Sequence, residues 1–178
     1  EYKIVCEGIG RKFQVPSVFV NLTVEENMIL SLKGRKGIWQ SIFFKPSPED
    51  EALINETLET VGLLGKKDEN AGALAHGQKQ WLEIAMQLVQ QPEIIMLDEP
   101  AAGMGKPETF KTGEILKRIK DTYTVIVVEH DMDFVRQISD RVTVLHEGKV
   151  LLEGSCDEVL ADETVQAVYL GRGGERNA

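Results

Sequence analysis

The sequence predicts an α/β protein, with a mostly parallel sheet flanked by helices and an α-helical subdomain ahead of the main strands. Three observations carry that prediction. Residues 21–92 show helical spacing and helix-cap signals. After Pro92 the period changes to short aliphatic runs at 94–97 and 124–128. Those runs are β-branched or aliphatic, as strands buried in a parallel sheet are, and one helix length at about 107–120 separates them.

The elements follow in order. Thr23 with Glu26 has the capping-box spacing and opens a first helix. Ser47-Pro48-Glu49-Asp50 supplies an N-cap, a first-turn proline and early acids for a second. Ile54, Leu58 and Val61 fall on its one apolar face, and Gly62 is placed to end it in the left-handed conformation. A third helix turns Trp81, Ile84, Ala85 and Leu88 inward as core before Pro92. Beyond the second strand, Asp131 opens a helix expected to bury Phe134, Val135 and Ile138. Residues 141–145 and 150–152 read as a hairpin around Glu147-Gly148-Lys149. Ser155 with Glu158 caps another helix, and a last one at 164–170 is expected to stop at Gly171, leaving RGGERNA frayed.

Composition narrows the function. The 178 residues carry 29 acidic and 20 basic side chains, a net charge of −9, which disfavours a broad grip on nucleic acid or anionic lipid. The apolar runs fall far short of the roughly 20 residues that a spanning helix needs. Cys6 and Cys156 are too few for a disulfide framework and lack metal-ligand spacing, so a reducing cytoplasm is the default expectation. Both cysteines read as small core or boundary residues.

The most informative stretch is IIMLDEP, residues 94–100. It places Asp98 and Glu99 at the carboxyl end of a strand, the edge at which open α/β sheets bind ligands. One acid there can hold Mg²⁺ and the other can orient or deprotonate a water. On these seven residues alone, a strand ending in solvated acids accounts for the pattern equally well.

Order and spacing decide between the two. Leu74-Ala75-His76-Gly77-Gln78 precedes the strand by about one helix, and His130 closes the next strand, TVIVVEH. With Gly10-Arg11-Lys12-Phe13-Gln14 and the helical stretch after it, this order resembles the ATP-binding subunits of ABC transporters. GIGRKFQVPSVFVNLTVEEN, HGQKQWLEIAM, LDEPAAGM, VVEHDMDFV and VTVLHEGKVLLEGS are similar to the ATPases of branched-chain amino-acid and amide importers. HGQKQWLEI is most similar to the urea importer's subunit.

The resemblance implies a P-loop NTPase fold of the ABC ATPase kind, with ATP and Mg²⁺ as ligands. Asp98 would bind the metal and Glu99 would be the catalytic carboxylate. His130 would be the switch histidine at the terminal phosphate. Gln14 would touch the metal or the attacking water and report nucleotide state to membrane subunits. Ala75, His76, Gly77 and Gln78 would close over a nucleotide held by a second protomer, where the helix N-terminus and the glycine suit a phosphate. Residues 101–104 would run along the dimer interface. His76 and His146 also fit simple surface or packing roles, and Trp39 with Phe43-Phe44 fits either a docking patch or core.

The implied divisions are a glutamine-loop segment at 1–20, a helical subdomain at 21–92, an ATPase core at 93–171 and a tail at 172–178. The implied partners are a second ATPase subunit, membrane permeases and, indirectly, a periplasmic or extracellular solute-binding protein, with no nucleic acid. The implied place is cytoplasmic, peripheral on the inner face of the membrane.

Two departures stand out. No G-x-x-x-x-G-K-[ST] phosphate loop occurs: the residues five before the Gly-Lys pairs at 65, 105 and 148 are Thr60, Pro100 and Thr143. Because only 13 residues precede Gln14, the expectation is an N-terminally truncated form lacking the first strands and that loop. Ala75 also stands where the corresponding family sequence, usually LSGGQ, has serine. These departures keep open a second reading, a degenerate, non-hydrolysing regulatory scaffold. The presence of Asp98, Glu99, Gln14 and His130 argues against it.

Overall fold

The computed structural model describes residues 9–12, 18–33 and 46–173, with side chains to residue 168 and only the backbone at 9–12. Cys6, Gln14, Trp39, Phe43 and Phe44 lie outside the residues so described. The chain divides into two compact units, Glu1–Glu129 and His130–Ala178.

In the first unit β1 (Ile9–Lys12), β2 (Ile94–Asp98) and β3 (Thr124–Val128) form a parallel sheet in the order β1-β2-β3. Ile9 pairs with Ile94 and Asp98 with Val128, so β2 is central and its carboxyl end carries the acids. The strand β1 has no counterpart among the sequence expectations, since IGRK lacks alternation and is a strand only through its pairing with β2. The expectation of fully buried strands is corrected. Ile95 and Leu97 are buried, but Met96, Ile126 and Val128 are exposed on the opposite face.

Helix α1 (Val24–Ser31) opens on the expected capping box, with Thr23 N–H donating to Glu26 at 2.7 Å and Glu26 N–H to Thr23 Oγ1 at 3.1 Å. Its Asn27 is fully buried and pins the preceding segment: Nδ2 donates to the Phe19 carbonyl and Oδ1 accepts the Phe19 N–H. Helix α2 (Pro48–Val61) has the expected Ser47 cap and buries Ile54, Leu58 and Val61. Gly62 ends it at φ +72, the left-handed conformation that favours glycine.

Helix α3 (His76–Leu88) packs on α1, α2 and β1, and buries Trp81, Ile84, Ala85 and Leu88 as expected. Helix α4 (Lys106–Ile119) connects β2 to β3 and packs on α2. There Arg118 donates to the Thr60 carbonyl at 3.0 Å, placing a cation on the C-terminal end of α2, where the helix dipole favours it.

The second unit holds α5 (Met132–Ile138), the antiparallel hairpin β4 (Val142–His146) and β5 (Lys149–Gly154), α6 (Cys156–Ala161) and α7 (Glu163–Gly173). Its core is Val144, Val159 and Val165, with Val142, Leu151 and Leu152 against it. Glu147 and Gly148, at φ +49 and +76, make the two-residue turn. Two expectations are revised. Only Phe134 of α5 is fully buried, with Val135 and Ile138 partly covered. Helix α7 continues through Gly171 to Gly173, because glycine is tolerated within a helix and ends one only when a left-handed turn follows.

Candidate functional site

The site is built where β2 ends. Asp98 closes the strand and is half-buried. The chain then leaves the sheet sharply at Glu99, whose φ of +45 is unusual for a residue with a side chain. A single residue held there costs about 1–3 kcal/mol and needs support around it. Part of that support is the Glu99 N–H, which donates to the Val128 carbonyl at 2.9 Å and extends the β2–β3 ladder by one bond. The Glu99 carbonyl accepts the Ala102 N–H at 3.1 Å, and the Ala101 carbonyl accepts the Met104 N–H at 3.2 Å. The backbone of 99–104 is thereby folded into a tight turn with Gly103 at φ +73.

Glu129, just past β3, accepts the Ala101 N–H on its carboxylate at 3.3 Å. It is a supporting residue that the sequence reading passed over. The signal lay in plain view, since Glu129 immediately precedes His130 in TVIVVEH.

The N-terminus of α3 lies against this same turn. Ala75 is the N-cap residue and has cap-like torsions, φ −61 and ψ 161, but no side-chain acceptor. Only half of a capping box is present, with the Ala75 N–H donating to Gln78 Oε1 at 3.1 Å. His76 is exposed, and its Nε2 lies 3.2 Å from the Ala102 carbonyl. Gly77 is buried against α4: a Cβ built on it would stand 2.8 Å from Glu108 Oε1. The other oxygen of Glu108 accepts the Gly105 N–H at 3.2 Å, so one carboxylate borders both helix starts.

The structure thus brings Asp98, Glu99, Ala75, His76, Gly77 and Gln78 to one region of the first unit. His130 is exposed and is the first residue of the second unit. His146 lies in β4 of that unit, with Nε2 4.0 Å from Glu147. Cys156 is half-buried at the start of α6.

The chemistry open to this arrangement is that of a phosphate ester. Hard carboxylate oxygens suit Mg²⁺, and the first-turn N–H groups of α3 suit an anion. Among the described residues no cluster of three or more His, Cys, Asp or Glu could hold a metal alone.

Residues 1–102 match the family model for ABC transporters. The chain is 36% identical over 178 residues to the high-affinity branched-chain amino acid transport ATP-binding protein LivG of Escherichia coli K12, covering 95% of this chain and 70% of the relative. It is 34% identical over 180 residues to BraF of Pseudomonas aeruginosa, a protein with the same description, covering 96% and 70%. Among solved structures, the ADP conformation of MJ1267, an ATP-binding cassette of an ABC transporter, superposes with a TM-score of 0.77 at 28% identity. That match covers 95% of this chain and 70% of the other. CbiO1 of Clostridium perfringens, part of the ABC transporter complex CbiONQ, matches with a TM-score of 0.74 at 31% identity, over 97% of this chain and 68% of the other.

Proposed function

The chain belongs to the ABC transporter family of ATP-binding proteins, and from that premise we propose that it serves an importer of branched-chain amino acids or a small amide as its ATP-hydrolysing subunit. The observation that carries the reading is the joining of Asp98 and Glu99, at the end of the central parallel strand, to the N-terminal turn of α3 by one short loop. A nucleotide would then meet carboxylates from one protomer and helix N–H groups from its partner.

In this reading Asp98 holds Mg²⁺ together with the ATP phosphates. The ion, when bound, neutralises charge on the transferring phosphoryl group. Glu99 orients the attacking water and accepts its proton; its backbone, locked to Val128, keeps the carboxylate at a fixed place. His130 contacts the terminal phosphate, and Gln14 senses the metal or the water. Gly77 and the free N–H groups of the α3 turn close over the phosphates of the nucleotide on the second protomer, with Gln78 beside them. Residues 1–20, 21–92 and 93–171 are the corresponding glutamine-loop segment, helical subdomain and core.

The solute class comes from the names of LivG and BraF, and its narrowing to urea rests on HGQKQWLEI. The partners in this reading are a second ATPase subunit and membrane permeases that themselves meet a solute-binding protein. No described helix is long and apolar enough to cross a membrane, which suits a peripheral subunit on the cytoplasmic face. The relatives are transport ATP-binding proteins and weigh against a non-hydrolysing scaffold.

The test is reconstitution of this chain, carried behind a phosphate-loop segment from a branched-chain amino acid relative, with the permeases of a branched-chain amino acid importer, reading solute uptake into vesicles. Uptake that requires ATP and is lost in Glu99→Gln supports the proposal; uptake indifferent to Glu99→Gln sinks it.

A further inference from the structure

The proposed mechanism uses the backbone at the start of α3 and leaves the side chain of His76 without a task. That ring meets the loop after Glu99 at two places. Its Nε2 lies 3.2 Å from the Ala102 carbonyl. A Cβ placed on Gly103 would stand 3.3 Å from the same Nε2 and 3.6 Å from Cδ2, so the imidazole sits close over a residue without a side chain. A carbonyl oxygen only accepts, so the hydrogen of the contact is on Nε2.

The loop carries the connection onward. Ala102 N–H donates to the Glu99 carbonyl at 3.1 Å, and Glu99 N–H donates to Val128 at 2.9 Å. The first residue of α3 is therefore tied through hydrogen bonds to the backbone of Glu99 and to the sheet.

We propose that His76 is a positioning residue: its Nε2–H bond to Ala102 and its seat over Gly103 clasp the loop that sets Glu99 to the N-terminal turn of α3. Resting on the proposed function, the clasp has a consequence. In a pair of such subunits the α3 turn meets the nucleotide of one site while Glu99 of the same chain serves the other. The clasp then gives the α3 turn and the loop that follows Glu99 one hydrogen-bonded link within the chain. Histidine suits this task because its ring donates laterally from the first helical position, where a glycine or serine would not reach.

The clasp is made within one chain, so its test is separate from that of the transport function. In the purified 178-residue chain, long-range ¹H–¹⁵N spectra report the His76 tautomer, and hydrogen exchange reports the Ala102 and Met104 amides. Neutral His76 is expected in the Nε2–H form. His76→Ala should speed exchange at those two amides by about three- to tenfold, as loss of one hydrogen bond does, with the Ile95 and Leu97 amides unchanged. His76→Gln, whose amide also donates, should restore exchange to within about twofold of the parent. An Nδ1–H tautomer, unchanged exchange in His76→Ala, or a His76→Gln chain that behaves like His76→Ala would each overturn the proposal. If His76→Ala loses the fold, the parent tautomer and the His76→Gln exchange still decide it.

Discussion

Trp81 donates its indole N–H to the Thr112 hydroxyl at 2.9 Å, joining α3 to α4 through a bond that is buried at both ends. Thr112 Oγ1 in turn donates to the Glu108 carbonyl at 2.9 Å and lies 3.2 Å from Met104 Sδ, the last residue of the turn after Glu99. Lys111 adds a cation 4.1 Å from the centre of the Trp81 ring. The middle of α3 and the turn after Glu99 therefore share one support through Thr112.

Thr112→Val keeps the shape of the side chain and strands the Trp81 N–H in the core. A buried donor left without a partner costs about 1–3 kcal/mol. Urea unfolding followed by tryptophan fluorescence should show a loss of that size, with Thr112→Ser losing less. Equal midpoints for Thr112→Val and the parent would mean that the bond contributes nothing.

Ala75→Ser should stabilise the chain. The backbone at 75 already has N-cap torsions and lacks only an acceptor, and a serine cap is worth about 1 kcal/mol over alanine. Thermal unfolding checks this. In a form able to hydrolyse ATP the same change should raise turnover, since the new hydroxyl would also face the partner's nucleotide. A lower rate would count against the role assigned to position 75.

Gly72 and Gly65 should respond unequally to alanine. A Cβ at Gly72 would stand 2.8 Å from the Val20 carbonyl, which is backbone and cannot step aside, whereas a Cβ at Gly65 meets nothing within 4 Å. Overpacking of the first kind costs about 1–3 kcal/mol, and an unobstructed surface change stays within about 0.5 kcal/mol. Denaturant midpoints of the two variants should separate accordingly; coincident midpoints would refute the packing at Val20.

Glu158 makes the helix α6 cap depend on pH. The Ser155 backbone N–H, and after it the Ser155 hydroxyl, hold the Glu158 carboxyl below its ordinary range. A folded pKa lowered in this way gives stability that is present above the unfolded pKa and lost as pH falls through the folded one. The cap should therefore hold at neutral pH and weaken below the usual glutamate value of about 4.3. Amide shifts at Ser155 followed through an acid titration should show the step, and Glu158→Gln should abolish it. A step at the unshifted value in the parent would contradict the cap.

The features legible in the sequence were those made by near neighbours. Thr23 with Glu26, Ser47 with Asp50 and Ser155 with Glu158 cap their helices through bonds three residues apart, and Gly62 ends α2 by its own torsions. Asp98 and Glu99 were legible because an apolar run dictates a strand and its end dictates an edge. What escaped depends on distant partners. The strand β1 exists through its pairing with β2, and the exposure of Met96 and Ile126 depends on which elements cover the sheet. The contact of His76 with Ala102 spans 26 residues and that of Trp81 with Thr112 spans 31, and no local pattern encodes either.

In the proposed function Glu99 performs hydrolysis at a site to which Asp98 brings the metal. The most direct measurement is MgATP binding and phosphate release by this chain carried behind a phosphate-loop segment from a branched-chain amino acid relative, with and without Glu99→Gln. Glu99→Gln should bind MgATP as the parent does and release phosphate about 10²–10⁴-fold more slowly, the usual effect of losing a general base. Phosphate release at the parent rate from Glu99→Gln would contradict the account.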